Sequence, residues 1–413
     1  MDNVTHTLIG VLAGEAVHRF LPPSAVLSDR ARRTVAIGVL AVGGNLPDAD
    51  VLYTTVAGTT GDYLLHHRGY THTFIAALGA SVLLYLAVRL WWRYRGIRPR
   101  PADTWLLVGL SLAGPHLHLA LDFTNNYGIH PFWPVDNRWY YGDAVFIIEP
   151  LLWACATVLL FILPSRIMRL LIALVIVAGL GLSWFSGFVP ATLAAILTVL
   201  ALGLAAVGRF ASARVAVASG LAAWLAVTAV FFAGSHAAGT RVQALLADAF
   251  PTARTLDIVL TPLPANPVCH EVLAVQTVAD TYIVRRAFHS LAPDWLPAEQ
   301  CERLYPLRGE RTAPLTPIEQ PMTGEIAWDG ELALPVERFA DLASEYCAAE
   351  AVLQFARAPW ATPVGDGWIV GDLRYDTEPG QGFAETYVGP DSDECPRLPA
   401  PWAPPRADLL DGR

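Results

Sequence analysis

The chain has 413 residues, of which 54% are hydrophobic and only 16% charged; its mean hydropathy is +0.40 and its net charge −9. A soluble domain carries about 25% charged residues, so the composition excludes an ordinary soluble globular protein. The charge is also uneven: residues 1–239 hold 15 arginines against 11 acidic residues, whereas 240–413 hold 13 against 26, and that acidic excess argues against nucleic acid as a partner.

The chain therefore divides into a transmembrane helical domain, 1–239, and an acidic domain, 240–413. Its first residues, Met1-Asp2-Asn3-Val4-Thr5-His6, have no basic stretch and no small-residue cleavage site, so they do not read as a cleavable signal peptide. Apolar runs predict eight helices, at about 5–21, 34–47, 72–92, 104–122, 143–163, 166–183, 188–207 and 213–233. A full span needs roughly 20 apolar residues. The first run carries Glu15, His18 and Arg19 and the second is short, so these two are expected to tilt or to pack inside the bundle.

Arginine placement sets an orientation. The clusters Arg30/Arg32/Arg33, Arg89 to Arg100, Arg166/Arg169 and Arg209/Arg214 follow the first, third, fifth and seventh predicted helices. Those loops are then cytoplasmic, and the N-terminus, the other loops and the acidic domain are extracytoplasmic. Trp91, Trp92 and Trp133 read as anchors at the membrane interface.

Beyond residue 240 the long apolar runs stop. Leu256–Leu260, Glu271–Val278, Tyr282–Phe288 and Trp368–Tyr375 read as strands, and 336–356 reads as one helix. The fold class is mainly α: a polytopic helical membrane bundle of about eight helices followed by a small extracytoplasmic α+β domain. Cys269, Cys301, Cys347 and Cys395 lie in that domain and predict two disulfides, with three pairings open.

Eight of the eleven histidines fall in the first 130 residues, mostly where a helix meets the outer surface. His6 opens the first helix, and Asp48 and Asp50 close the second. His67, Arg68 and His72 lead into the third, and His116, His118 and Asp122 end the fourth. The arginine pattern, obtained without these residues, puts all of them on one side. His118 and Asp122 are four apart, so they share a helix face and can share an ion. His116 points elsewhere and is read as a supporting group. One histidine at a helix end is ordinary, and Thr71 alone reads as a helix cap. Seven candidate ligands (His6, Asp48, Asp50, His67, His72, His118 and Asp122) at membrane depth, where ionisable groups are costly, point to a site. Imidazole with carboxylate suits Zn²⁺ first and Mn²⁺ or Fe²⁺ next, as one or two ions. Arg68 is suited to an anionic substrate oxygen. Glu149 is a candidate general base or further ligand. His18, His130, His236, His270 and His289 are read as structural.

Together, Asp2-x-x-Thr5-His6, Pro47-Asp48-x-Asp50, His67-Arg68-Gly69-x-Thr71-His72 and His118-x-x-x-Asp122 with Tyr127-Gly128 resemble a bacterial inner-membrane family. It is described as metal-dependent hydrolases, as LexA-binding and as domain of unknown function 457. The resemblance covers about 1–180 and implies a metal site more directly than a reaction. Where that family often has Asp, this chain has Glu149. The expected function is a membrane metal-dependent hydrolase acting on a phosphoester or ester, lipid-linked substrates included, with the bilayer as its surroundings. Two readings compete: a metal or proton transporter, which needs ionisable residues through the membrane, and a non-enzymatic membrane binding protein.

Overall fold

The computed structural model describes residues 1–305, 314–380 and 382–410. Four of the first five helices start where a short polar side chain takes an otherwise unpaired backbone N–H. Asp2 caps α1 (Asn3–Phe20) and Ser28 caps α2 (Asp29–Gly43). A turn over Pro47–Ala49 leads into α3 (Asp50–Ala57), and Thr59 caps α4 (Thr60–His66). Thr73, not Thr71, caps α5 (Phe74–Tyr94), which leaves the Thr71 hydroxyl free for other work. Pro101 opens α6 (Pro101–Phe123), where its missing N–H costs nothing. Then follow α7 (Pro150–Cys155), α8 (Leu159–Ile162), α9 (Arg166–Phe185), α10 (Ala191–Phe210) and α11 (Ala213–Ala249).

Among the described residues five helices, α5, α6, α9, α10 and α11, are long and apolar enough to cross a membrane. The number is six if α2 and the segment Pro47–Thr54, bent by 52°, count as one broken span. This falls short of the eight predicted, for two physical reasons. α1 carries its charges inside, with Glu15 buried against Arg19 and Arg33. The run at 143–163 is helical only from Pro150 and is interrupted by a tight turn at Ala156–Val158. Exposed leucines on α5 and α9, such as Leu83, Leu90, Leu170 and Leu174, suit a hydrocarbon surrounding. Trp92 does not act as an interfacial anchor: it is 1% exposed, in a core with α2 and α6.

The four arginine clusters meet at one end of the bundle. Arg32 donates to the His18 and Leu21 carbonyls, Arg33 to the Ile162 carbonyl just before α9, and Arg214 to the Arg19 carbonyl. Arg100 and Arg32 line one cleft.

At 37 residues α11 is about 55 Å long, against a hydrocarbon core of about 30 Å. Its last turns run on beyond the span and pack on the tail, where Ala238, Val242 and Leu246 meet Leu260, Val272 and Trp328. There β1 (Arg254–Leu263), β2 (Asn266–Val278), β3 (Thr281–Ser290) and β4 (Ile326–Pro335) form an antiparallel sheet in that order. The short α12 (Ala298–Leu304) lies between β3 and β4 in sequence. β5 (Pro359–Val364), β6 (Gly367–Asp372) and β7 (Glu385–Val388) form a second sheet. The helix expected over 336–356 is two, α13 (Glu337–Glu345) and α14 (Cys347–Leu353), because Asp393 takes the Cys347 and Ala348 N–H groups and starts a new helix there. The disulfides are Cys269–Cys301 and Cys347–Cys395.

The two parts of the chain are not separate in packing. One core joins Leu64, Leu65, Tyr127 and Trp139 to Tyr282, Phe355, Trp360 and Trp402 of the tail. Buried charges reinforce the joint. Arg357 bridges Asp143 and Asp257, and Arg374 binds Asp372 and the Asn126 and Phe355 carbonyls.

Candidate metal centre

Two glycines bring the helices close enough to build the site. A Cβ on Gly114 of α6 would stand 2.9 Å from the Gly43 Cα of α2, so only glycine allows these backbones to touch. The contact sets the free carbonyl of Gly44, at the end of α2, 2.7 Å from His118 Nδ1. His118 therefore donates from Nδ1 and turns its Nε2 inward. His72 comes from the loop before α5. Its Nδ1 lies 2.9 Å from the Thr71 hydroxyl and 3.5 Å from Asp50 Oδ2, which leaves its Nε2 inward too.

The two Nε2 atoms face each other at 2.9 Å. Asp122 Oδ2 lies 2.9 Å from His72 Nε2 and 3.2 Å from His118 Nε2, and Asp48 Oδ1 lies 3.4 Å from both. The ligand atoms of these four residues all fall within 4.8 Å of one another. A second group, Asp48, Asp50 and His67, adjoins the first and shares Asp48 with it. His67 Nδ1 is 3.1 Å from Asp50 Oδ1. His6 stacks on His118 with centroids 4.0 Å apart, its Nε2 3.1 Å from Asp122 Oδ1. The Met1 amino group also contacts Asp122.

Arg68 stands over this cluster. Its backbone has a φ of +58°, which a non-glycine residue adopts only when held. Asp50 holds it by accepting the Arg68 N–H at 3.0 Å, and the same oxygen accepts the Thr71 hydroxyl at 2.7 Å. The guanidinium donates to Asn125 Oδ1 at 2.9 Å, comes within 3.2 Å of Asp122 Oδ2 and lies over the Tyr127 ring.

All seven candidate ligands and Arg68 thus gather at one end of the bundle, where α1 begins and α2 and α6 end, and in the loop before α5. Two other candidates do not join them. His116 turns away, bonding the Leu112 carbonyl and stacking on Phe74. Glu149 is buried as the cap of α7, where it accepts the N–H groups of Leu151 and of Ala265 in the tail. It ties the tail to the bundle. Sequence reasoning missed three supports: the Gly44 carbonyl, Asn125, and Asn3, whose amide donates to Asp48 Oδ2 at 2.9 Å. The signals were the Gly43-Gly44 pair before Pro47-Asp48, and two asparagines lying beside the His6 and Asp122 motifs.

Burial pushes the Glu149 carboxyl up to about 8 against the pull of its two N–H donors. The folded protein therefore keeps a proton there that the unfolded chain gives up near 4.5, so stability present below that pH is lost as pH rises to about 8. In thermal unfolding across this window Glu149→Gln is expected to flatten the decline. An unchanged slope would refute the assignment.

The donor set fits a divalent ion. Two imidazole Nε2 atoms and two carboxylates at these separations need positive charge among them, and a divalent ion would supply it. His6 Nδ1 is buried without a hydrogen-bond partner. Four nitrogen and oxygen ligands suit zinc, and Asp48 is placed to be shared by a second ion.

Residues 1–190 match the family model of the YdjM inner membrane protein. A curated relative, the uncharacterized protein YfhP of Bacillus subtilis (strain 168), is 27% identical over 139 residues, which are 34% of this chain and 39% of that protein. No solved structure matches. Among the described residues, the chain thus combines five helices long and apolar enough to cross a membrane with His/Asp clusters that could hold a metal ion.

Proposed function

We propose that this chain, whose first 190 residues match the YdjM inner membrane protein family, is a membrane-bound metal-dependent hydrolase of phosphoesters or esters working at the extracytoplasmic surface. The observation that carries the reading is the pair of inward Nε2 atoms of His72 and His118, 2.9 Å apart and flanked by Asp48 and Asp122. His72, His118, Asp48 and Asp122 would hold the ion, with His6 stacked on His118 beside them and Asp50 and His67 available, with Asp48, to a second. Zinc is the first choice and manganese or iron the next. Such an ion supplies Lewis acidity, acidifying water and polarising a phosphoryl or acyl oxygen.

The chain's own groups do the rest. Arg68 offers a planar fork to an anionic oxygen. When a single ion is bound, Asp50 and His67 form a carboxylate–imidazole pair whose ring keeps 14% exposure at the edge of the cluster, suited to holding the proton of a water or a leaving oxygen. The tail packs over α4 and the 125–127 loop and shields the cluster from bulk water. The transporter reading draws no support from Glu15, which is neutralised by Arg19 and Arg33 at the far end of the bundle.

Purified, reconstituted protein is expected to contain one or two ions per chain and to hydrolyse a phosphoester substrate in a chelator-sensitive way. Metal binding without hydrolysis across phosphoester and ester panels would leave a binding protein, and activity that survives chelation would sink the mechanism. The arginine asymmetry supports an extracytoplasmic tail. An impermeant thiol reagent on intact cells should label Cys269, Cys301, Cys347 and Cys395 only after reduction. Labelling that also requires membrane permeabilisation would reverse the topology.

A further inference from the structure

Beside the cluster a cleft of about 320 Å³ runs between the start of α1 and the middle of α9. Its α1 wall is Asn3, Val4, Thr7 and Leu8, and its α9 wall includes Ile172 and Val175. The cleft has two unlike ends. At its lip the polar groups are linked, with Asn3 donating to Asn45 Oδ1 and Asn45 to Thr7 Oγ1. Deeper in, the walls are aliphatic. Further along α9, Leu182 lies on the same face as Ile172 and Val175 by helical spacing, and Ser186 caps the helix just beyond it. They line a second, apolar pocket against Ile147 and Ile148. The Asp2 N–H donates to the Ile147 carbonyl at 3.2 Å, so α1 and that second wall are joined.

The lip reaches the metal cluster through one side chain. Asp48 Oδ2 accepts the Asn3 amide at 2.9 Å, and Asp48 Oδ1 faces the His72 and His118 Nε2 atoms at 3.4 Å. A molecule whose polar end lies at Asn3 is therefore one carboxylate away from the ligands. α9 is apolar enough to cross a membrane, and only 22% of its apolar window is buried within the protein, so the cleft opens on hydrocarbon.

We propose that this cleft seats the hydrocarbon chain of an anionic membrane lipid whose phosphate reaches the cluster past Asn3, making a lipid phosphoester the substrate class. The inference rests on the hydrolase reading of the site. Lipid tails are as apolar as leucine, so the aliphatic walls give no affinity of their own inside a bilayer. They orient the chain, and selection falls to the head group at the cluster. Binding must therefore depend on the phosphate, which separates a seated lipid from one merely lying against the protein.

The test uses zinc-loaded full-length protein in phosphatidylcholine vesicles with a trace of phosphatidic acid carrying a photoreactive diazirine in its acyl chain. Crosslinks should concentrate in 1–20 and 166–185. Unlabelled phosphatidic acid should compete about tenfold better than diacylglycerol. Val175→Trp should fill the cleft and cut the crosslink about tenfold, whereas Leu174→Trp, on the same helix outside the cleft, should not, both variants retaining their metal. Crosslinks spread evenly over the outward faces of α5 and α10, equal competition by diacylglycerol, or undiminished labelling of Val175→Trp would overturn the proposal. Because labelling is read without turnover, a specific crosslink with no hydrolysis would uphold the lipid seat while removing the hydrolase.

Discussion

Asp122→Asn is expected to strip the protein of metal and to lower turnover by well over 100-fold, beyond the roughly 10–100-fold that losing a supporting group around a metal costs. Asp122 is where the site's charges converge: His72 and His118 meet Oδ2, His6 meets Oδ1, and the Arg68 guanidinium lies 3.2 Å away. The amide keeps the shape and removes the charge, so a folded, metal-free protein results and Arg68 loses its counter-ion. Elemental analysis and hydrolysis on the same preparation check this. His116→Ala, on the other face of α6, should keep its full complement of metal. If Asp122→Asn holds metal as tightly as the parent, the four-residue ligand set is wrong.

Arg374→Ala should produce the largest loss of stability. The guanidinium is buried and donates to Asp372 Oδ2 twice, to the Asn126 carbonyl at 2.6 Å and to the Phe355 carbonyl at 2.9 Å. Removal leaves a buried carboxylate without its counter-charge, a change that costs about 3–5 kcal/mol, or a fall in melting temperature on the order of 10 °C. The damage should also reach the site, because Asn126 adjoins Asn125, which holds Arg68. Limited proteolysis should then cut the tail first, and metal should be lost on mild warming. A melting temperature within a degree or two of the parent would show that the aromatic core alone holds the tail down.

The sequence carried most of the candidate cluster because its ligands stand at the borders of apolar runs, where a side chain can be polar without being exposed to lipid along its helix. His118 and Asp122 were legible from a spacing of four residues. Glu149 was not legible, because its role is set by Ala265, 116 residues further on. The over-long prediction at 143–163 has a similar origin. Ala144, Val145 and Ile147 are as apolar as a span, but Ala144 and Val145 fill a core between α1, α6 and α11, Ile147 lines a pocket with Pro264 of the tail, and the helix waits for Pro150. Trp92 was misread because hydropathy does not say which side of a helix meets lipid and which meets α2. In the tail, Leu256–Leu260, Glu271–Val278 and Tyr282–Phe288 were visible as strands through their branched and aromatic residues. β4, β5 and β7 were not, being broken up by Gly, Pro, Asp and Glu. The break between α13 and α14 depends on Asp393, which no local pattern announces.

Trp402 donates from its indole to the Leu65 carbonyl at 2.6 Å, on the helix that leads into His67 and Arg68. That bond has a consequence for biogenesis. The ligands up to Asp122 leave the ribosome roughly 280 residues before Trp402 does, an interval of some tens of seconds at about 5–20 residues per second. For that time the histidines and aspartates stand without their roof. An ion that the cluster takes up would then enter before the last segment docks, and its exchange afterwards would wait for the tail to lift.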